Sequence, residues 1–514
     1  MNNDRYFQEK LNQYNDEIVD TRQGRPDLRN VQCGRMGAWL FKPEPCAEQP
    51  VYPCQPGDCP CDAPSARRKD CAPFREGNHT QTVGERGPAL LQDAILHETL
   101  ESFVHQKTIE RAVHTKGFGA FGHFKLYESM RAYTKACFLQ NPGQVTPVFV
   151  RFSFAVSNRG TPDTARNVRG FSTKFYTEEG IFDLLCNHIP VFFIRDAMRF
   201  PETIAALSPS PVNNLADPGM FWSYIARTPE ATHALLWLYS DQGTRDSFRH
   251  MGGHSVNTYV WKNAEGRRRY VKYHWIPLAG ERTLDRQQAR MLACENPDIA
   301  GQDLYDTLDS GKTVEYELHM QLMDPEDENA LPYDPLDDTK VWSEADYPLM
   351  PVGRLTLERN PDDYSAQVEK AAFSPSNLIE GIELSADKML QGRSLIYWDA
   401  QRRRLGPDFR ELPINRKDRW SPKRLVTSSS GERACGELVR TGIPLQNDFA
   451  QAGMFYGGLC DTEKQHLIDN IACELHAVGP KVQSCVLGYL REASAELEEL
   501  VAWQIELYNS RGGC

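Results

Sequence analysis

The chain has 514 residues, 40% of them hydrophobic, and a formal net charge of −12, enough for two or three domains or one large core with appendages. The acidic balance and the lack of long Lys/Arg runs exclude nucleic acid as an expected partner and suit a neutral or cationic substrate. No stretch is apolar for long enough to cross a membrane. The first residues also lack the apolar segment of a secretory signal, so the expected compartment is the cytoplasm.

Residues 1–85 are predicted to form an N-terminal arm rich in Cys and Pro. The spacing Cys54-x4-Cys59-x-Cys61 is tight enough for a metal ion, but it is not a paired CxxC motif and no histidine precedes His79. Disulfides or free thiols are therefore favoured over a metal site. The arm has little periodic apolar content and is expected to drape over another surface, such as a neighbouring subunit.

Residues 86–359 are predicted to form an antiparallel β-barrel with a helical insertion near 202–240. In the stretch 146–156 the side chains alternate, so that Val148 and Phe152 face one way and Arg151 the other. About seven strands are recognisable in this region, the later ones near 171–176, 190–195, 255–261, 269–275, 314–323 and 352–359.

The stretch before the first of these strands carries glycines in the pattern GxGxxG, at Gly117, Gly119 and Gly122. No clear hydrophobic strand precedes them and no clean βαβ unit follows, so a dinucleotide-binding loop is disfavoured. The glycines are instead expected to permit close backbone approach or strand bends. His114 lies just upstream, and the hydroxyl of Ser153 is of the kind that holds one imidazole nitrogen and leaves the other for proton transfer.

Residues 360–445 are predicted to be a wrapping segment with one helix, which Gly406-Pro407 ends. Arg393, Tyr397 and Arg404 are spaced to share a face of that helix. A neighbouring positive charge favours a phenolate, a strong ligand for ferric iron, although a half-buried polar face is the commoner meaning of such a stripe. Residues 446–514 are predicted to be a helical domain, with Asp461 as an N-cap.

An ordered series of motifs makes the chain resemble the haem catalases over roughly residues 80–510. These motifs are Glu110-Arg111-Ala112-Val113-His114-Thr115-Lys116-Gly117, Val150-Arg151-Phe152-Ser153, Arg169-Gly170-Phe171, Lys174-Phe175-Tyr176-Thr177-Glu178-Glu179-Gly180, Asn187, Pro190-Val191-Phe192-Phe193-Ile194-Arg195-Asp196, Met350-Pro351-Val352-Gly353, Asn360-Pro361, and Asp387-Lys388-Met389-Leu390-Gln391-Gly392-Arg393 with Tyr397.

The resemblance implies an α+β fold, in which an eight-stranded antiparallel β-barrel carries an extended wrapping segment and a C-terminal helical domain. It implies disproportionation of hydrogen peroxide to water and dioxygen, protection against oxidative stress, a haem cofactor expected to be haem b, and a homotetramer. The expected type is the small-subunit one, which carries no flavodoxin-like domain after the helical region.

The resemblance also implies roles for individual residues. His114 matches the distal acid/base, Asn187 the amide that orients peroxide, and Ser153 the hydroxyl that holds the histidine. Tyr397 matches the proximal iron ligand. The remaining matches surround the cofactor: Arg393 beside the phenolate, Arg111, Arg151 and Arg404 at the propionates, Val113 in the narrow channel, and Phe200 packing near the distal pocket.

Several positions depart from the family pattern. Asn167 replaces a channel aspartate, a change expected to weaken electrostatic guidance of the substrate. Phe154, Phe182, Cys186 and His188 also differ from the usual residues; drift with repacking of neighbours is favoured over a new polar or redox-sensitive group.

Some catalases bind NADPH, and His233, Ser240 and Lys272 match contact positions of that kind. However, Gln242 stands where a cation is usual and Glu344 where a histidine is usual. Because both changes disfavour a phosphorylated ligand, NADPH binding is expected to be weak or absent.

Two other functions stay open at this point. One is a catalase-fold peroxidase or oxygen-transfer enzyme acting on an organic substrate, although Val113 argues against a branch with a polar residue there. The other is a haem-carrying redox sensor that uses the Cys-rich arm. The presence of His114, Asn187 and Tyr397 argues against the sensor.

Overall fold

The computed structural model describes residues 80–85, 88–105, 108–156, 158–417, 439–443 and 447–511. The predictions for the cysteines of the N-terminal arm lie outside these residues. The chain divides into two compact units, residues 1–100 and 101–514, and the boundary falls within helix α1 (Ala94–His105). The described part of the first unit also contains a β-bridge between Thr82 and Ala89. The four-part domain division drawn from the sequence stays a prediction.

The second unit is built on a closed antiparallel barrel, which confirms the predicted fold class. Its strands are β1 (Gly117–Leu126), β2 (Val145–Phe154), β3 (Arg169–Tyr176), β4 (Ile181–Asn187), β5 (Gly253–His254), β6 (Tyr259–Lys262), β7 (Arg268–Pro277), β8 (Val314–Met323), β9 (Met350–Arg359) and β10 (Ile382–Leu384). Eight strands close the barrel in the order β7-β5-β4-β3-β2-β1-β9-β8, with β8 paired back to β7. Strands β6 and β10 extend the sheet outward from β7.

Strand β2 shows how the sequence pattern places side chains on the two faces of the barrel wall. Val148, Val150 and Phe152 are fully buried in the barrel core, as the alternation predicts. Arg151 and Ser153 point to the other face, where they line a cavity outside the barrel. The same alternation thus fills the barrel and supplies polar groups to the site described below.

The glycines of the GxGxxG pattern lie in strand β1, not in a nucleotide-binding loop. A Cβ atom at Gly122 would lie 1.9 Å from the backbone oxygen of Thr356, and one at Gly117 would lie 2.5 Å from the Arg151 guanidinium carbon. Both positions therefore need a residue without a side chain. The structure confirms the expected close approach.

Helices occupy the insertion, the connection between β7 and β8, the wrapping segment and the C-terminal region. They are α2 (Phe200–Leu207), α3 (Pro218–Ile225), α4 (Thr232–Tyr239), α5 (Arg286–Glu295), α6 (Ile299–Asp309), α7 (Lys388–Leu405), α8 (Ala450–Gly458), α9 (Asp461–Leu475), α10 (Pro480–Ala493) and α11 (Ala495–Arg511). Helices α2–α4 confirm the predicted insertion, while α5 and α6 were not predicted. The cap of α9 is Cys460, not Asp461. No helix in the described ranges is both long enough and apolar enough to cross a bilayer.

The strand predicted at 190–195 is wrong. This segment is irregular, and the preceding residues form β4 instead. Pro190 has no N–H to donate, and Phe192 N donates to the Asp338 oxygen rather than to a sheet neighbour. Val191 and Phe193 are buried in a second core that the helices form. A continuous apolar run without alternation fits that environment as well as it fits a strand.

The wrapping segment is held to the barrel by hydrogen bonds to a buried ion pair between β3 and β4. Asp183 of β4 accepts from Lys174 Nζ at 2.7 Å and from the Ser374 backbone N–H at 3.0 Å. Helix α7 then begins at Asp387, whose side chain accepts from Leu390 N at 2.9 Å, and it ends at Gly406, where φ is +88°. These caps confirm the predicted helix and fix where its side chains project.

Candidate active site

A cavity of about 710 Å³ lies between the outer face of β2–β4, the segment before β1, and helix α7. All ten residues predicted to form the site line it: Arg111, Val113, His114, Arg151, Ser153, Asn187, Phe200, Arg393, Tyr397 and Arg404. Elements almost 300 residues apart in sequence therefore converge on one space. Its size lies in the range of small-molecule and cofactor sites.

His114 is held rigidly at the cavity wall. Its backbone has a left-handed φ of +62° and its N–H donates to the Ala155 oxygen at 2.9 Å. Its Nδ1 lies 2.9 Å from Ser153 Oγ, so the two residues meet as the family resemblance implied. Burial, followed by the nearby positive charge of Arg151, lowers the pKa of His114 to about 3. The imidazole is therefore neutral and available as a base at physiological pH.

Asn187 ends strand β4 and lines the cavity, opposite Gly170 in the register of β3. The next residue, His188, is engaged by backbone on both ring nitrogens. Arg169 N–H donates to its Nδ1 at 2.9 Å, so its Nε2–H donates to the Gln242 oxygen at 2.9 Å. This arrangement supports repacking as the meaning of the unusual His188.

Two further departures from the family pattern are also accommodated by local contacts. Asn167 pairs its side-chain amide with both the N–H and the C=O of Val156. Phe154 is buried in the barrel core, and the Arg169 guanidinium lies 5.4 Å from its ring centroid. Both changes are thus built into the packing around the cavity.

The phenol of Tyr397 faces a buried guanidinium. Arg393 NH2 donates to Tyr397 Oη at 3.3 Å, and Arg393 NH1 donates to Asn257 Oδ1. Burial works against the charge of Arg393, but the nearby phenols of Tyr397 and Tyr259 outweigh it and raise the Arg393 pKa. Arg393 therefore stays cationic and can stabilise a phenolate at Tyr397.

Three arginines converge elsewhere along the cavity, beside the carboxylate of Glu369. Arg111 NH1 pairs with Glu369 Oε2 at 3.1 Å, and Arg404 donates to backbone oxygens of the wrapping segment. Burial and then the charge of Arg111 lower the pKa of Arg151 well below its ordinary value and that of Arg404 to about 9. Arg151 Nε is buried with no hydrogen-bond partner among the described residues. The cluster is therefore suited to binding anionic groups.

Comparisons with known proteins agree with this geometry. The family model described as Catalase matches residues 67–434, and that described as Catalase-related immune-responsive matches residues 443–505. The chain belongs to the catalase family. A catalase of Methanosarcina barkeri is 38% identical over 468 residues, covering 85% of this chain and 92% of its own, and Catalase-2 of Bacillus subtilis is 38% identical, covering 83% and 68%.

Solved catalase structures share the fold. Catalase A from Saccharomyces cerevisiae superposes with a TM-score of 0.81 at 32% identity, covering 86% of this chain and 99% of that one. Catalases bind haem, and the residues present fit that group. A phenol beside a fixed guanidinium suits the ferric ion of haem. The arginine cluster suits the two carboxylates of haem, and within the described residues Arg151 Nε is buried without a partner.

The structure also adds cavity residues that the sequence did not indicate. Val256, Asn257 and Asp338 line the cavity beside Arg393. Gly392 allows close approach of α7, because a Cβ there would lie 2.1 Å from Ala197 Cβ. Asn257 lies in a loop and Asp338 in an acidic turn, so neither position carries a periodic or motif signal that would have revealed it.

Proposed function

We propose that this chain decomposes hydrogen peroxide in the cavity described above, with His114, Asn187 and Ser153 acting on the substrate and Tyr397 holding haem iron. Two molecules of peroxide give two of water and one of dioxygen. The single observation that carries the proposal is the convergence of a neutral, serine-held imidazole and an arginine-paired phenol on one cavity.

His114 is the proposed proton carrier. In the tautomer whose Nε2 can accept a proton, Nδ1–H donates to Ser153 Oγ. Nε2 then takes a proton from one peroxide oxygen and passes it to the second, which prepares the second oxygen to leave as water. Asn187 donates an amide N–H to the peroxide and fixes its orientation. Proton transfer by a positioned side chain contributes roughly 10²–10⁴-fold in rate.

When bound, haem supplies the two-electron chemistry with peroxide. Tyr397 would be its protein ligand and Arg393 would keep that ligand anionic. The cluster of Arg111, Arg151 and Arg404 would bind the haem propionates. Val113 and Phe200 line the space that haem would occupy. Within the described residues no group of three or more His, Cys, Asp or Glu side chains could hold a bare metal ion.

NADPH is proposed to bind weakly or not at all. Lys272 is buried and donates to the Lys340 oxygen at 3.0 Å, so its charge faces the interior. Trp237 packs against Phe455, with ring centroids 4.4 Å apart, close to His233. We expect a fluorescence titration with NADPH to show no saturable binding in the micromolar range; tight binding at one site per chain would contradict this.

Haem b, a homotetramer, a cytoplasmic location and a role in oxidative stress remain predictions. The catalase-fold peroxidase and the redox sensor are less favoured, because the curated relatives reported above are all named catalases.

Oxygen release from peroxide, measured beside the oxidation of phenols and fatty hydroperoxides, tests the proposal. We expect vigorous oxygen release in the wild type and a loss of about 10²-fold or more in His114→Ala. His123→Ala is the matched control, since His123 lies on β1 and faces Glu358 at the surface. Oxidation of an organic donor without oxygen release would favour the peroxidase instead.

A further inference from the structure

Asn257 joins the arginine behind the proposed iron ligand to two buried carboxyl groups. Its Nδ2 donates to Asp387 Oδ2 at 2.8 Å and to Asp338 Oδ2 at 3.3 Å, and its Oδ1 accepts from Arg393 NH1. Asp338 and Asp387 are 1% and 2% exposed. Because both carboxyl oxygens contact one nitrogen atom, they lie within roughly 6 Å of each other, a separation at which two buried negative charges repel strongly.

The two carboxyl groups are not equivalent. Asp387 accepts a second hydrogen bond from Leu390 N at 2.9 Å at the start of α7, where a negative charge is favourable. Asp338 Oδ1 is buried without a hydrogen-bond partner in the described part of the chain. An ionised carboxylate with such an oxygen costs more than a protonated carboxyl, because burying an unpaired charge is costlier than burying an unpaired neutral polar atom. Geometry therefore places the charge on Asp387 and the proton on Asp338.

The charged and titratable groups facing this pair support that assignment. Burial, then the charges of Asp387 and Asp337, raise the pKa of Asp338 well above its ordinary value; Lys272 and Arg393 act in the opposite direction. Burial also raises the pKa of Asp387, but its hydrogen bonds from Leu390 and Asn257 oppose the shift. The phenol of Tyr259 lies near Asp387 and Arg393.

Neighbouring backbone holds Asn257 in this orientation. Val256 has a left-handed φ of +63°, which a β-branched residue rarely adopts, and Asn257 N donates to the Ser255 oxygen at 2.6 Å. The amide cannot turn over without setting its oxygen against Asp387 and its NH2 group against Arg393. Asn257 is therefore a fixed link between the acids and the guanidinium.

We propose that Asp338 is a neutral carboxyl that, with ionised Asp387 and through Asn257, positions Arg393 and keeps its positive charge available to Tyr397. The inference rests on the proposed role of Tyr397 as iron ligand. If Asp338 were ionised, a second negative charge would compete with the phenolate for Arg393. Asp338 is thus a positioning residue, and its protonated state is part of the site.

Infrared spectroscopy of the full-length protein tests this directly, because a protonated carboxyl has a carbonyl band apart from those of carboxylates. We expect the wild type to keep such a band at neutral pH and Asp338→Asn, which mimics the neutral acid, to lose it. Asp309→Asn, an exposed carboxyl on α6, is the matched control and should keep the band. A band that is missing in the wild type, or unchanged in Asp338→Asn, overturns the proposal.

A second variant covers the case in which Asp338→Asn does not fold. In Asp387→Asn the neighbouring charge is gone, so the band should disappear on raising the pH at least about one pH unit earlier than in the wild type. No shift in that pH, or a later disappearance, contradicts the coupling of the two acids.

The haem-loaded protein gives the readout at Tyr397. The wild type should show a change in its iron–phenolate absorption at alkaline pH that Asp338→Asn lacks; the same change in both refutes the link to Arg393. The infrared band needs no haem. If the infrared band is present but no iron–Tyr397 bond forms, Tyr397 is not the iron ligand and the proposed protonation of Asp338 still holds. If oxygen release is normal but the band is absent, the proposal for Asp338 and Asp387 is wrong and the proposed function still holds.

Discussion

The close approach of Gly170 to the catalytic histidine makes a single methyl group an informative perturbation. A Cβ at Gly170 would lie 2.7 Å from Ser153 Oγ and 2.9 Å from Nδ1 and Cε1 of His114. Ordinary Cβ contacts begin at 3.4 Å, so these atoms must retreat by about 0.5 to 0.7 Å. Such a shift lengthens or breaks the 2.9 Å bond between His114 and Ser153.

A misplacement of about 1 Å at a catalytic group costs up to roughly 10²-fold in rate. We therefore expect Gly170→Ala to lower oxygen release per haem by about tenfold to 100-fold. Overpacking should lower stability by about 1–3 kcal/mol. Gly488→Ala in α10, where a Cβ would meet no atom within 4 Å, is the matched control and should leave the rate unchanged.

The assay is an oxygen-electrode trace normalised to haem content, with a melting curve for each variant. Full activity in Gly170→Ala would refute the reasoning, since it would mean that the added methyl group does not displace the His114 imidazole enough to affect catalysis. Equal losses in both variants would point to a general effect of the substitution instead.

Three further predictions concern the buried histidines and the arginine cluster. Because burial lowers the pKa of His114 to about 3 and also lowers those of His188, His254 and His274, oxygen release should stay level between about pH 5 and 8, without an imidazole titration near 6.5. Below the ordinary histidine pKa, the unfolded chain binds more protons than the folded chain, so stability falls as the pH drops. The urea midpoint of unfolding should therefore fall below about pH 6.5. A midpoint that rises there would contradict the burial of neutral imidazole rings. Arg404→Gln should weaken haem binding in an absorbance titration by about tenfold or more, since a charge-assisted hydrogen bond contributes roughly 1.5–3 kcal/mol. Arg402 is exposed, so the control variant Arg402→Gln should bind haem normally. Equal haem affinities in the two variants would contradict a role of Arg404 in binding the propionates.

Sequence pattern was sufficient where one physical rule dominated. Alternation in β2 placed Val148 and Phe152 inside the barrel and Arg151 outside, because a strand with one face in the barrel core has period 2. The helix carrying Tyr397 was predicted because Gly406 and Pro407 stop it. The ten cavity residues were recognised by their resemblance to a family, which supplies long-range contacts that no local rule contains.

Other features depended on tertiary contacts that the sequence does not encode locally. Pro190 begins an apolar run that resembles a strand but packs among helices, where Val191, Phe193 and Ile194 are buried. Asn257 and Asp338 acquire their roles only because α7 brings Arg393 against them. Their positions have no spacing, charge run or motif that separates them from ordinary loop residues.

The bond between Tyr397 and haem iron is the claim on which the rest depends most directly. Resonance Raman spectra of the haem-loaded wild type and of Tyr397→Phe measure it. We expect the wild type to show tyrosinate vibrations and to release oxygen, and we expect Tyr397→Phe to lose both. Spectra that are the same in both proteins would show that something other than Tyr397 binds the iron and would contradict the account.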